Sequence, residues 1–219
     1  IEVRLDCPVT RLEEGLAHTP AGAVPHGHAL NAAGLYADRL AHPLGVGRHL
    51  RILPFRGLYL RGSPAAGPLG VHVYPVPAPD VPFLGVHMTL KADGALTIGP
   101  TATPAAWRRQ YGGLQGFDAS EAAELALRWP GLLLGDPVIR RVAWREAPKV
   151  LRRTLVRQAS TLITGLDPAH WRTWGRPGIR AQLYDTRARR LHMDFCLAPG
   201  PAAPMYSTPC PRPSPAPWP

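Results

Sequence analysis

The chain has 219 residues, 45% hydrophobic and 18% charged, which suffices for a buried core in one domain or two small ones. It contains no uncharged apolar run of roughly 18 residues, so no membrane-crossing helix is expected. The net charge of +10 is carried almost wholly by scattered Arg, with Lys91 and Lys149 the only lysines and no interleaved aromatics, so no nucleic-acid partner is expected.

The first residues, Ile1-Glu-Val-Arg-Leu-Asp6, lack both a Met and a basic-then-apolar leader, and further residues are expected upstream. Val3, Leu5, Val9 and Leu12 alternate, which predicts a hairpin or edge strand. Residues 15–30 are rich in Gly, Pro and His and read as a loop entering a short buried strand that ends at Leu30. Next comes Asn31-Ala-Ala-Gly34, three small side chains and an Asn. Such a junction lets another body approach the main chain closely, or is simply a tight turn. Leu35, Ala37 and Leu40 suit a helix that stops near His42-Pro43.

From Leu50 short strands are predicted: residues 50–62 around Pro54, residues 71–77, and a hairpin with arms Val86–Leu90 and Ala95–Ile98 about the turn dipeptide Asp93-Gly94. Asp118 with Glu121 resembles a capping box opening a helix whose apolar face is Ala122, Leu125, Ala126 and Trp129, closed by Pro130-Gly131. Leu151, Leu155, Ala159 and Leu162 predict a second helical region after Pro148, with Arg152, Arg153 and Arg157 on its solvated faces. Asp167-Pro168 starts a short helix. Residues 177–197 form another hairpin pattern, with Ile179, Ala181 and Leu183 on one arm and Leu191, Met193, Phe195 and Leu197 on the other. Beyond Ala198 the chain is saturated with Pro and is expected to be disordered or extended. The fold class is α+β.

Cys7, Cys196 and Cys210 are odd in number and far apart, which fits a reducing compartment and neither a disulfide framework nor a zinc site. His26-Gly-His28 has no carboxylate or Cys at ligand spacing and reads as loop polarity, so no metal is expected.

The segments "NAAGLYADRL", "LPFRGLYL", "VYPVPAPDVPFLGVHMT", "DGALTIGPTA" and "PGIRAQL" occur in that order. Together they resemble FAD-dependent oxidoreductases of the D-amino-acid-oxidase type, in the L-2-hydroxyglutarate oxidase/dehydrogenase branch. The resemblance runs from about residue 1 to about 197, and "WRRQYGGLQGFDASEAAELALRWPG" resembles that family's helical insertion.

The resemblance implies a partial, Rossmann-like FAD-binding domain at 1–47, an antiparallel-sheet substrate domain with inserted helices at 48–175, a hairpin at 176–198 returning to the flavin, and the Pro-rich tail at 199–219. It implies FAD as cofactor, with Asn31, Ala32, Ala33, Gly34, Gly178 and Ile179 along its wall. The implied reaction oxidises a 2-hydroxy acid, for the branch L-2-hydroxyglutarate to 2-oxoglutarate. That chemistry needs a base, cations for two carboxylates and an electron sink. His87 is the base candidate, or else a satisfied core histidine. Arg180 and Arg56 are the carboxylate-binding candidates, or else structural ion-pair members. Tyr59, Tyr74 and Gln182 are candidate pocket groups. The implied partner is a small dicarboxylate, with oxygen or a membrane quinone as electron acceptor, in the cytoplasm or peripherally on the inner face of the membrane.

The sequence departs from the family in two respects: the family's helix under the flavin is only faintly echoed by "LAPGPAAPMYSTPC", whose Pro-rich continuation cannot form it, and the phosphate-binding turn is missing. None of the 219 residues form a Gly-x-Gly-x-x-Gly, and "GVGRHL" at 45–50 lacks the flanking strand and helix needed to replace it. These residues alone are therefore expected to bind FAD weakly and to purify colourless. An inactive fragment of such an enzyme, or a flavin amine or amino-acid oxidase, shares the same motifs.

Overall fold

The computed structural model describes all residues except 64–68, 77–82, 84, 193, 201–204 and 208–219, with only the backbone of 205–207. In chain order come β1 (Arg11–Glu13), β2 (Leu16–Thr19), β3 (Gly22–Pro25), α1 (Ala37–Ala41), β4 (Leu50–Gly57), β5 (Leu60–Arg61), β6 (His87–Leu90), β7 (Leu96–Gly99) and β8 (Thr103–Pro104). They are followed by α2 (Ala119–Gly135), α3 (Pro137–Glu146), α4 (Arg152–Ala159), β9 (Thr173–Trp174), β10 (Gly178–Asp185), β11 (Arg190–Leu191), β12 (Cys196–Ala198) and β13 (Met205–Ser207). Helices and antiparallel sheets are thus both present, as an α+β reading requires. The chain divides into two compact units, one of residues 1–53 with 181–219, the other of 54–180.

The first unit opens with an antiparallel meander, β1-β2-β3. This corrects two expectations. Residues 1–10 form no strand, and Val3 and Leu5 are exposed; Leu12, opposite Ala17, is the residue that finds a ladder and is buried. The Gly- and Pro-rich stretch supplies turns and the third strand of the meander: Gly15 takes φ +77° in the first turn, Thr19 Oγ1 donates to Gly22 O at 2.7 Å across the second, and Pro25 ends β3 opposite Leu16. Ala29 and Leu30 lie outside any strand, and Leu30 is 61% exposed.

The core of this unit gathers Ala37 and Ala41 of α1 with Val46, Leu50, Ile52 and Leu183. Buried Asp38 accepts a hydrogen bond from Ile52 N at 3.1 Å, tying α1 to β4. The hairpin β10–β11 pairs Tyr184 with Leu191. Its turn is set by Asp185 Oδ1, which accepts from Arg187 N and Ala188 N at 2.8 and 2.9 Å. Its second arm does not continue to Leu197 as expected. Asp194 Oδ1 accepts from Phe195 N at 2.7 Å, and β12 pairs instead with β13 of the Pro-rich segment. Met193, on the expected arm, lies outside the described residues.

In the second unit the expected hairpin about Asp93-Gly94 is present as β6–β7, in the sheet β6-β7-β5-β9. Residues 71–77 were expected to be a strand, but those described make a single bridge, Val73 to Met88; Pro75 has no N–H to extend a ladder. The sheet packs Leu60, Met88 and Ile98 against Leu155, Val156 and Ala159 of α4 and against Trp171.

The helix from Asp118 runs through Pro130-Gly131 to Gly135, so the expected stop is overridden. Buried Leu125 and Trp129 hold it, with Trp129 Nε1 donating to Ala105 O at 3.0 Å. Asp118 caps as expected, but Glu121 does not complete a capping box: its buried carboxylate accepts from Arg108 N at 3.1 Å. Buried Asp136 then starts α3, an element the sequence reading lacked, by accepting from Val138 N and Ile139 N.

Candidate functional site

In the second unit the chain folds several candidate residues onto one another. His87 opens β6, where its register places it opposite Gly99. Gly99 takes φ +151°, and a Cβ there would lie 2.6 Å from Leu58 O and 2.8 Å from Tyr59 Cδ1, so the close approach of Tyr59 requires glycine. Tyr59 also lies beside Gly178, at 4.0 Å from a Cβ built there, and next along β10 come Ile179 and Arg180, all half-buried. Tyr74 stacks on His87, with ring centroids 4.5 Å apart and planes at 34°. Arg180 lies over the Phe83 ring at 5.8 Å, and Phe83 in turn packs on Phe55 at 4.9 Å.

His87 Nδ1 sits 3.0 Å from Gly85 O. A carbonyl only accepts, so Nδ1 carries the hydrogen, and Nε2 keeps a lone pair. Burial pushes the His87 imidazole below its usual range, the Gly85 carbonyl opposes that, and the charges of Arg180 and His72 add to the depression. Arg180 and His87 belong to the same unit. Among the described residues a buried guanidinium nitrogen of Arg180, Nη1, has no hydrogen-bond acceptor. Neither has Nε of Arg56, whose backbone carbonyl is held by the Thr101 and Thr103 hydroxyls at 3.3 and 3.2 Å. Among the described residues Arg56 makes no bond to His87 or Arg180.

The first unit holds the remaining candidates. A cavity of about 890 Å³ is lined largely by apolar side chains, with Asn31, Ala32, Ala33, Tyr36, Arg39 and His26 on its wall. Asn31 is buried and staples its own turn: Nδ2 donates to Ala37 O at 2.8 Å, and Oδ1 accepts from Ala33 N at 3.2 Å. Gly34 takes φ +54° and a Cβ there would meet nothing, so its glycine serves the left-handed backbone that starts the helix. Gln182 is buried, and Nε2 donates to His192 O at 2.6 Å, bracing the β10–β11 hairpin.

His26 was read from sequence as loop polarity, yet both its ring nitrogens are buried in this wall without a partner among the described residues. Nothing in a Gly- and Pro-rich loop signals that; it follows only from how the meander folds. Phe83 as a platform for Arg180 was likewise missed. The cavity's size lies within the range of cofactor sites, and an orphaned imidazole beside small side chains suits a flat ligand with polar edges, so these residues fit a flavin nucleotide. Among the described residues no three His, Cys, Asp or Glu side chains gather to hold a metal ion, and no helix is long and apolar enough to cross a membrane.

Comparison with known proteins converges on the same family. L-2-hydroxyglutarate dehydrogenase of Escherichia coli strain K12 is 33% identical over 195 residues, 80% of this chain and 43% of that protein. The protein of that name from Indibacter alkaliphilus is 33% identical over 215 residues, 89% of this chain and 51% of its own. The chain thus spans about half the length of these relatives or less. L-alpha-glycerophosphate oxidase from Mycoplasma pneumoniae, solved reduced with FAD bound, superposes with a TM-score of 0.55 at 18% identity, over 92% of this chain and 44% of that one, a likeness of fold alone. The model of the FAD dependent oxidoreductase family matches residues 1–197, and the chain belongs to that family.

Proposed function

We propose that the chain carries the substrate-binding part, and a portion of the cofactor wall, of an FAD-dependent enzyme that oxidises a 2-hydroxy acid, L-2-hydroxyglutarate to 2-oxoglutarate. One observation carries this reading: the same unit holds a buried histidine whose Nδ1 is engaged by Gly85 O and an arginine with a buried N–H that has no acceptor among the described residues. A hydroxy acid needs that pair, a base for the hydroxyl proton and a cation for the adjoining carboxylate. The names of the relatives above support the dicarboxylate.

His87 Nε2 takes the hydroxyl proton, and Gly85 O holds the ring's other nitrogen protonated throughout. Arg180 binds one carboxylate, braced by Phe83, and Arg56 offers its unbonded Nε to the second. Tyr74 covers the imidazole and keeps water from it; Tyr59 lines the same wall. Asn31, Ala32, Ala33 and His26 line the cavity of the first unit and would hold part of the cofactor there. Bound FAD supplies the acceptor for the hydride leaving the carbinol carbon.

The test is anaerobic: the chain, with FAD in excess, is mixed with L-2-hydroxyglutarate, its D enantiomer, or L-glycerol 3-phosphate, and flavin absorbance is followed. Bleaching by the L-hydroxy acid alone is expected, together with calorimetric binding of 2-oxoglutarate. A folded chain that neither bleaches nor binds 2-oxoglutarate sinks the proposal.

A further inference from the structure

A second cavity, of about 390 Å³, lies in the second unit between α4 and the short turn Pro168–His170. Arg152, Arg153, Val156, Arg157, Ser160 and Pro168 line it. From sequence these arginines read as a solvated face. The fold makes them converge on one cleft, and three features leave their charge uncompensated.

First, no Asp or Glu occurs from Ala147 to Leu166. The carboxylate of Asp167, beside the cleft, is engaged with Ala169 N at 2.8 Å and faces His170 at 3.6 Å. Second, Arg152 and Arg153 occupy the first turn of α4, where the helix dipole is positive and the preceding residue gives no side-chain cap. Cations there are opposed by the helix and suited only if an anion joins them. Third, Arg153 and Arg157 are exposed one helical turn apart, a like-charge spacing that an isolated helix disfavours. Arg152 is meanwhile fixed by the carbonyls of Pro168 and buried Trp171, both at 3.3 Å, which orient its guanidinium without neutralising it.

We propose that this cleft binds a phosphate group. Arg152 is the pre-set wall, Arg153 and Arg157 close on the oxygens as charge-assisted donors, and the Ser160 hydroxyl, now donating to Val156 O at 3.0 Å, stands at the rim. The cleft is larger than inorganic phosphate needs, so the ligand is a phosphoester or a pyrophosphate. A free phosphate and a lipid headgroup share this chemistry.

Calorimetric titration with pyrophosphate in phosphate-free, low-salt buffer tests it. Binding is expected to weaken by about tenfold or more in R153A/R157A, the loss of two charge-assisted contacts. R140A/R141A, which removes another exposed arginine pair, should change it by less than about twofold, as expected for surface charge alone. Excess FAD should leave the binding intact. A parallel arm sediments vesicles of phosphatidylcholine with and without phosphatidic acid; co-sedimentation that only R153A/R157A abolishes assigns the phosphate to a lipid. Circular dichroism checks the fold, and R157Q, at an exposed position, replaces the double variant if that misfolds. Equal weakening by both arginine-pair variants, displacement by FAD, or binding of neither probe overturns the proposal.

Discussion

At the scale of single residues, the proposed roles of Arg180 and His87 imply some cost to the free protein. A buried guanidinium N–H without an acceptor is a desolvated donor, and such groups cost roughly 1–3 kcal/mol. R180M keeps an unbranched apolar stem in place of the arginine's while removing that donor. It is therefore expected to raise the stability of the free chain by about 1 kcal/mol in a denaturant melt, and to lose 2-oxoglutarate binding by calorimetry. A less stable R180M would mean that the arginine is structural. For His87, the lowered proton affinity places the acid limb of kcat/KM below the ordinary histidine value of about 6.5. H87Q should lower the rate by about 10² to 10⁴ and flatten that limb. An unchanged profile would remove His87 from the role of base.

At the scale of elements, α2 carries an avoidable penalty. Pro130 lies inside the helix and is exposed, so it removes one backbone hydrogen bond and crowds the preceding turn without adding core contact. P130A is expected to stabilise the chain by about 2 kcal/mol in thermal or urea unfolding, the helix-interior cost less the entropy that proline removes from the unfolded chain. The same helix marks the limit of what could be read beforehand. Local chemistry was legible: Asp118 as a cap, Asp93-Gly94 as a turn and Asp167 before Pro168 each act through bonds to neighbours in sequence. Tertiary choices were not. Trp129 finds Ala105 O and carries the helix past its breaker, Glu121 leaves the capping box for Arg108 N, and the glycines of 15–30 fold a meander because β1, β2 and β3 pair. For the candidate site, residue type and motif order pointed to His87 and Arg180; the burial that isolates His26 emerges only from the folded meander.

At the scale of the whole chain, buried His87 and half-buried His192 tie stability to pH. Desolvation is the leading cause that lowers both His87 and His192; the charges of Arg180 and Arg190 act the same way, against the Gly85 carbonyl at His87 and Asp185 at His192. As pH falls below about 6.5 the unfolded chain takes up protons that these folded imidazoles still refuse, so the unfolded state is favoured progressively until the lowered values are reached. Unfolding followed from pH 7 downward should show a flatter decline in H87Q/H192Q than in the parent chain, and parallel curves would mean that other groups set the acid limit.

The second unit is one continuous stretch, 54–180, whereas the first is assembled from both ends of the chain. A ribosome making this chain therefore completes the inner stretch before the strands β10 and β11 needed to finish the outer one have emerged. The early residues must wait, with Leu50 and Ile52 lacking Leu183, and the inserted unit shortens the effective span across which the two ends must later find each other. Residues 54–180 made alone should melt cooperatively, and residues 1–53 made alone should not.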